Sequence, residues 1–236
     1  GSIPFLSYLK FIKGELFVFY KDPQIRGFFT FTFFASLIIV AYSYFFVKES
    51  IPQNIRESVF NVVSILTGTG FTTEDFGSWG NFSSFFFIIL MFVGGCSAST
   101  TCGIKIFRFQ ILNLFIKKQI KQIIYPNGVF PMKYRGEAIG DTLLTSVLTF
   151  VFLYIFIFFI LTALLSLSGL DFVTAISAAA TSLSNVGPGL GEVIGPNGSF
   201  KYLPDLTKWY LSFGMLLGRL EFFTVLVLFL PSFWRS

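Results

Sequence analysis

Residues Ser64–Asp75 read SILTGTGFTTED, a polar stretch of two glycines, four threonines and two acids beside long apolar segments. The stretch closes a short segment, Ile55–Leu66, whose roughly 12 residues fall short of the ~20 that a membrane-spanning helix needs. Irregular backbone at membrane depth must have its polar groups satisfied by protein, water or ions. The stretch is therefore either an ordinary helix end and turn outside the bilayer, or a loop that presents backbone carbonyls inside it.

A second segment of the same kind follows later in the chain. Asp171–Leu183 is again about 12 residues long, too short to span a bilayer, and it runs into SNVGPGLGEV. Three apolar runs are long enough to span: Gly27–Val47, Ser146–Leu170 and Leu206–Leu230. One glycine loop alone would favour a turn outside the membrane, but two in the same context favour a pore. The order predicts an all-α membrane protein with two helix–pore-loop–helix repeats.

Composition supports a membrane protein over a very apolar soluble core. The chain of 236 residues is 54% hydrophobic and 12% charged, where soluble domains carry about 25% charged residues. It contains no His, which excludes His-based metal sites and His acid–base catalysis. Cys96 and Cys102 show no zinc or redox spacing. Apart from Lys208 at the start of the last run, Arg219 and Glu221 are the charged residues inside the spans, so we expect no enzyme.

The distribution of Lys and Arg predicts the orientation of the chain. Twelve of them lie in residues 1–26, residues 104–140 and the C-terminus, and four lie on the opposite side. The positive-inside rule then places the C-terminus in the cytoplasm and both glycine loops outside. The Lys and Arg residues that give the net charge of +5 are distributed as in a membrane protein, so we expect no nucleic-acid partner. Residues 1–26 are predicted to form a cytoplasmic or interfacial segment on the lipid bilayer.

The fourth apolar segment is interrupted. Ser83–Val93 runs into GGCSASTTCG, Gly94–Gly103, and resumes at Ile104–Ile116. The interruption lies about 11 residues into the helix, roughly 16 Å or mid-bilayer, unless it reaches solvent as an ordinary helix end. A loop at that depth would obstruct a permeation path below the glycine loops.

Two basic residues accompany this loop. A charge near the middle of a spanning helix costs at least ~2.5–3.5 kcal/mol, so Arg219 needs a partner or water. Glu221 is two residues away on a different helix face, which leaves a pore-facing position or a partner on another helix as the alternatives. Lys105 either faces a cytoplasmic vestibule or extends its ammonium group to the membrane surface.

Five stretches carry a family resemblance: FNVVSILTGTGFTTEDF, FVGGCSASTTCGIKIFR, PNGVFPMKYRG, GLDFVTAISAAATSLSNVGPGLGEV and FGMLLGRLEFFTVLVLFLPSFWR. Over nearly the whole chain they resemble the membrane subunit of the Trk/Ktr/HKT superfamily of potassium transporters, most closely its Trk branch. That resemblance implies four repeats around one pore, of which this chain holds the third and fourth, half of a four-repeat pore. It divides the chain into an N-terminal segment (1–26), a first pore repeat (27–117), a linker (118–141) and a second pore repeat (142–236).

The resemblance also implies which residues act. The filter that binds K⁺ through backbone carbonyls is Gly68, Thr69, Gly70, Phe71, Asn185, Val186, Gly187 and Pro188. The gate is Gly94, Gly95, Ser97, Ser99, Thr100, Gly103, Lys105 and Arg219. The family's loop is richer in glycine where Thr101 and Cys102 stand here, which implies a less flexible gate.

The implied function is potassium uptake across the cell (inner) membrane, with K⁺ as the transported species and no covalently bound cofactor. The implied partners are the two remaining repeats, from the same polypeptide or another chain, a homodimer of the full transporter, and a cytoplasmic nucleotide-binding regulatory ring on residues 104–140. A sodium-conducting relative and a non-conducting assembly or scaffold subunit are the alternatives. The filter glycines favour potassium, since serine replaces one in sodium-conducting members.

Overall fold

The structure is a computed structural model that describes residues 1–47, 51–220 and 222–234. These residues are mostly helical. The helices are α1 (Phe5–Ile12), α2 (Val18–Lys21), α3 (Pro23–Phe46), α4 (Ile51–Thr67), α5 (Asn81–Phe92), α6 (Ile106–Ile124), α7 (Asp141–Leu167), α8 (Phe172–Ser184), α9 (Asp205–Leu220) and α10 (Phe222–Val227). A two-stranded antiparallel hairpin pairs β1 (Lys133–Tyr134) with β2 (Glu137–Ala138). Phe200–Tyr202 and Pro231–Trp234 form single 3-10 turns.

Two of the predicted spanning runs are continuous helices. Helices α3 and α7 contain 24 and 27 residues, with mean hydropathies of 1.8 and 2.8, and are long and apolar enough to cross a membrane. Helix α3 begins at Pro23, before the predicted boundary between residues 26 and 27. The Asp22 side chain accepts a hydrogen bond from Gln24 N at 2.9 Å and caps the helix, and Pro23 fits its first position.

The two short segments are also helices, one longer than predicted. Helix α4 has 17 residues rather than about 12, because it begins at Ile51 and accepts Pro52 in its first turn, where amide groups have no helical acceptor. Helix α8 has 13 residues, and the Asp171 side chain caps it by accepting from Thr174 N at 3.1 Å. Burial acts to raise the pKa of Asp171, but hydrogen bonds to its charged form outweigh this and lower the pKa.

The interrupted segment forms two helices joined at one point. Gly94 N donates to Ile104 O at 2.9 Å, and Ile104 N donates to Phe92 O at 2.9 Å. Residues 94–103 therefore form a loop whose two ends lie side by side, joined by these main-chain hydrogen bonds. Helix α6 continues to Ile124, so the predicted linker 118–141 begins with two further helical turns before the hairpin.

The helical part of the last apolar run ends before Leu230, the predicted end of the run. Helices α9 and α10 lie on either side of residue 221, which is outside the described residues, and α10 ends at Val227. Leu228, Phe229 and Leu230 form successive turns that bond three residues back. Pro231 follows, and a proline disfavours helical geometry in the residue before it.

The short helices lie inside and the long helices outside. Helix α8 packs against α7, α9 and α5, while α4 packs against α3 and α5. Ala175, Ala178 and Leu183 of α8 are completely buried. On the outer helices Phe33 and Phe152 are 63% and 69% exposed, as expected of side chains that face lipid. The C-terminal ends of α4 and α8 lead into the two glycine loops, the first of which exposes Phe71 to 73%.

Candidate functional site

The two glycine loops contact each other. Gly70 has a φ of +73°, and a Cβ added there would overlap the carbonyl oxygen of Val186 and lie 3.2 Å from Pro188 Cδ. Gly187 has a φ of +121°, and a Cβ added there would lie 3.8 Å from Gly70 Cα. The structure therefore brings together the two segments predicted to form the filter, Gly68–Phe71 and Asn185–Pro188.

The first loop is held by the last turns of α4. Thr69 N donates to Ser64 O at 3.0 Å, and the hydroxyls of Ser64 and Thr69 lie 3.2 Å apart. Further along, Thr73 N donates to Asn61 Oδ1 at 3.2 Å. Ser64 and Asn61 are both buried, so α4 presents a polar face to the loop it precedes.

The second loop is held by hydroxyl groups of α8. Gly187 N donates to Thr181 Oγ1 at 2.9 Å, and Leu190 N donates to Ser177 Oγ at 2.9 Å. Asn185 ends α8 in the left-handed conformation, and its Nδ2 donates to Met215 O of α9 at 3.0 Å. Sequence reasoning had assigned no role to Thr181 or Ser177.

A spacing in the sequence could have revealed these hydroxyls. Thr174, Ser177, Thr181 and Ser184 lie three or four residues apart along α8, which places them on one face of the helix. All four are buried. Two of the four, Ser177 and Thr181, accept hydrogen bonds from amides of the loop that follows the helix.

The loop Gly94–Gly103 is cross-linked internally. Gly95 N donates to Thr101 Oγ1 at 2.9 Å, and the Thr101 and Ser99 hydroxyls lie 2.9 Å apart. Lys105 Nζ donates to Ser99 O at 3.2 Å, so the lysine contacts the loop that it follows. Ser97 N donates to Oε1 of Gln24, a buried residue of α3, at 2.7 Å.

The N-terminal residues lie against this loop. Cys96 N donates to Ser2 O at 2.8 Å, and Thr100 N donates to Gly1 O at 3.2 Å. Ser2 Oγ in turn donates to Leu66 O of α4 at 3.3 Å. The loop therefore holds the first two residues of the predicted N-terminal segment, residues 1–26, by main-chain hydrogen bonds.

Arg219 connects α9 to the loop. Its Nη1 donates to Thr100 O at 2.6 Å and lies 3.8 Å from Cys102 Sγ. The partner of this charge in the structure is a main-chain carbonyl of the loop. Glu221, the other residue considered, lies outside the described residues.

Arg219 also lines two cavities, one on each side of the loop. The first, about 260 Å³, lies between the loop and the inner ends of both glycine segments. Its lining is Gly1, Thr67, Gly68, Thr69, Thr100, Thr101, Cys102, Asn185 and Arg219. The second, about 320 Å³, is lined on its far side by Lys105, Tyr154 and Phe222. The loop and Arg219 thus separate two polar spaces.

The hairpin is tied to the start of α3. Arg135 Nη2 contacts both carboxylate oxygens of Asp22 at 2.6 Å. Tyr134 OH donates to Gln110 Oε1 at 2.8 Å, and Gln110 Nε2 donates to Pro23 O at 2.8 Å. Burial raises the pKa of Tyr134 above its ordinary value. The same helical turn carries Gln24, so contacts run from the hairpin to the loop Gly94–Gly103.

The described residues contain no group of three or more His, Cys, Asp or Glu side chains that could hold a metal ion. Backbone carbonyls and hydroxyls therefore provide the polar lining of the site. Long apolar outer helices, buried short helices and irregular polar loops at their ends define a helical integral membrane protein.

The comparison with known families agrees with this class. The sequence model of TrkH, described as a cation transport protein, matches residues 8–236. The chain therefore belongs to the TrkH family, and the predicted resemblance to the Trk branch is confirmed.

Individual relatives match along almost the full chain. The Trk system potassium uptake protein TrkI of Halomonas elongata is 43% identical over 100% of this chain and 48% of its own length. The Trk system potassium uptake protein TrkH of Escherichia coli K12 is 34% identical over 94% of this chain and 46% of its own length. These are names of transport proteins, and they confirm the prediction that the chain is not an enzyme.

A solved structure has the same fold. The crystal structure of the potassium transporter TrkH from Vibrio parahaemolyticus matches with a TM-score of 0.91 and 32% identity, over 99% of this chain and 50% of that chain. The chain spans about half the length of the relatives it matches.

Proposed function

We propose that this chain forms two of four repeats around a potassium pore and mediates potassium uptake. The observation that carries the proposal is the cavity of about 260 Å³ between the two touching glycine loops and the loop Gly94–Gly103 bound by Arg219. An ion leaving the glycine segments would enter this cavity and meet the loop before the second cavity. The names of the relatives, potassium uptake proteins, support the choice of ion.

The proposed filter consists of main-chain carbonyls of Gly68–Phe71 and Asn185–Pro188. Carbonyl oxygens can replace the hydration shell of a potassium ion. Helices α4 and α8 both end at these segments, and the negative partial charge of a helix C-terminus favours a cation there. Two segments cover one side of an ion, so the complete filter needs the remaining two repeats.

The proposed gate is the loop Gly94–Gly103 with Arg219. The guanidinium adds a positive charge to the cation path and fixes the loop through Thr100 O. Opening requires that the loop move away from the line between the two cavities. The parallel bridge at Val93 and Ile104 leaves the ends of the loop fixed while its middle moves.

The wider assembly is proposed by similarity to the family. The relatives are about twice as long as this chain, so we place the remaining repeats in the same longer polypeptide. The proposal includes a homodimer of the full transporter in the inner membrane, with both filter loops outside and the C-terminus in the cytoplasm. A cytoplasmic nucleotide-binding ring would dock on residues 104–140, which include the hairpin tied to α3.

Ion uptake into lipid vesicles tests the proposal. With the four-repeat transporter reconstituted, we expect uptake of K⁺ at least about a hundredfold faster than uptake of Na⁺, because carbonyl oxygens at fixed positions suit one ion size. Empty vesicles provide the control. Equal uptake of both ions would support the sodium-conducting alternative, and uptake no faster than in empty vesicles would support the scaffold subunit.

Substitution of Arg219 tests the gate. We expect Arg219→Gln to increase K⁺ uptake about tenfold, because it removes a charged hydrogen bond from the loop and a positive charge from the path. Arg219→Lys, which retains the charge on a different geometry, should give a smaller increase.

Lys208→Gln is the matched control for this substitution. Lys208 lies on the same helix, pairs with Asp205 at 3.0 Å and does not contact the loop. We expect wild-type uptake from this variant. Uptake by Arg219→Gln at or below the wild-type rate would contradict a gating role for the arginine.

A further inference from the structure

The central peptide of the second glycine loop is oriented by a side chain of α8. Gly187 N donates to Thr181 Oγ1 at 2.9 Å, and the threonine is 3% exposed. In a planar trans peptide the carbonyl points opposite to the amide. The amide of Gly187 points to α8, so the carbonyl of Val186 points away from it. That carbonyl oxygen is the atom nearest to a Cβ added at Gly70.

The first loop has a different arrangement at the equivalent position. When Gly70 is aligned with Gly187, which lies 117 residues later, Ser64 corresponds to Thr181. The hydroxyl of Ser64, however, lies 3.2 Å from Thr69 Oγ1. The amide of Gly70 donates instead to the main-chain oxygen of Ser64, at a long 3.5 Å. The central peptide of the second loop is therefore the more firmly oriented of the two.

Both loops are held again three residues beyond the central glycine. Thr73 N donates to Asn61 Oδ1 at 3.2 Å, and Leu190 N donates to Ser177 Oγ at 2.9 Å. Asn61 and Ser177 are both completely buried. They are 116 residues apart, whereas the central glycines Gly70 and Gly187 are 117 residues apart, so the two side chains do not occupy equivalent positions of the repeat. The two helices thus hold equivalent amides from different positions with different chemical groups, which no repeat in the sequence reveals.

We propose that Thr181 is a positioning residue for ion selectivity, which fixes the direction of the Val186 carbonyl and is assisted by Ser177. The inference rests on the proposed potassium filter and adds which side chains determine its geometry. A carbonyl that is held at one distance from the ion path suits one ion size. A carbonyl released from α8 can approach a smaller ion, so the loss of the Thr181 hydroxyl reduces discrimination against Na⁺.

The test compares Thr181→Val with Thr181→Ser in the four-repeat transporter. Valine retains the shape of threonine but leaves the Gly187 amide without this acceptor, and serine retains the hydroxyl. We expect Thr181→Val to lower the K⁺ to Na⁺ uptake ratio about tenfold, the equivalent of one buried hydrogen bond. Thr181→Ser should retain the wild-type ratio within about twofold.

A second pair of variants keeps the test valid if Thr181→Val does not fold. Ser177→Ala removes the acceptor of Leu190 N, while the control Ser182→Ala removes a buried hydroxyl of the same helix that donates to Ala179 O, within the helix. We expect the first to lower the K⁺ to Na⁺ ratio and the second to leave it unchanged.

The outcomes separate this inference from the proposed function. The positioning role would be overturned if both Thr181→Val and Ser177→Ala kept the wild-type ratio, or if they lost K⁺ and Na⁺ uptake equally. A selective wild-type protein would still support the potassium filter in that case. A wild-type protein that takes up neither ion would refute the filter itself.

Discussion

Gly70→Ala is expected to reduce the K⁺ to Na⁺ uptake ratio at least about a hundredfold, the largest functional effect of any single substitution in this chain. Two causes act together. The φ of +73° is costly for any residue with a Cβ, by about 1–2 kcal/mol. In addition the new Cβ would overlap the carbonyl oxygen of Val186, a backbone atom that cannot rotate away as a side chain can. The substitution therefore moves a carbonyl of the proposed filter directly.

Gly187→Ala provides the comparison for this prediction. Gly187 also has a positive φ, of +121°, but a Cβ there would meet Gly70 Cα at an ordinary contact distance of 3.8 Å. We therefore expect strain without displacement of the facing loop, and a smaller loss of selectivity. The measurement is the ratio of initial K⁺ and Na⁺ uptake rates in vesicles, normalised to the amount of folded protein.

The ranking of the two variants decides between explanations. A larger loss in Gly187→Ala would show that backbone strain, rather than contact between the loops, controls the filter. Wild-type selectivity in Gly70→Ala would remove Gly70 from the filter altogether. Gly70→Ser, which adds the same Cβ, should behave as Gly70→Ala does.

The sequence predicted the elements whose signal is local. Helices α7 and α8 are recognisable from the lengths of their apolar runs, and the interruption at Gly94–Gly103 follows from a run of small residues. Helix boundaries differed where a local residue decides them. Asp22 and Pro23 start α3 early, and Pro231 stops the last helix early.

The contacts that position the loops could not be predicted, because they join residues far apart in the chain. Arg219 and Thr100 are 119 residues apart, and Gln24 and Ser97 are 73 apart. The cost of a buried charge predicts that Arg219 has a partner but not which carbonyl accepts from it. Gln24 is uncharged, so the sequence gives no reason to expect a specific partner for it. Its contact with Ser97 depends on where helix α3 begins, which the Asp22 cap determines.

Gly218→Ala is expected to be the most destabilising single substitution of a helical glycine in α9. Helix α9 crosses the end of α8 there, and a Cβ at Gly218 would overlap the carbonyl oxygen of Leu183 and lie 2.7 Å from its carbonyl carbon. Both atoms belong to the backbone, so the helices must separate. Overpacking of this kind costs about 1–3 kcal/mol or more, which exceeds the ~1 kcal/mol that alanine gains over glycine in a helix.

Gly214→Ala, one turn earlier on the same helix, is the matched control for Gly218→Ala. Its Cβ would meet Leu161 Cδ2 at 2.8 Å and Ser182 Oγ at 3.0 Å, the ends of side chains that can rotate. Both variants gain the same helix propensity, so the difference between their melting temperatures in detergent isolates the backbone contact. We expect Gly218→Ala to melt several degrees lower than wild type and Gly214→Ala to remain close to it. Equal melting temperatures would mean that α9 and α8 are farther apart at Gly218 and Leu183 than the structure places them.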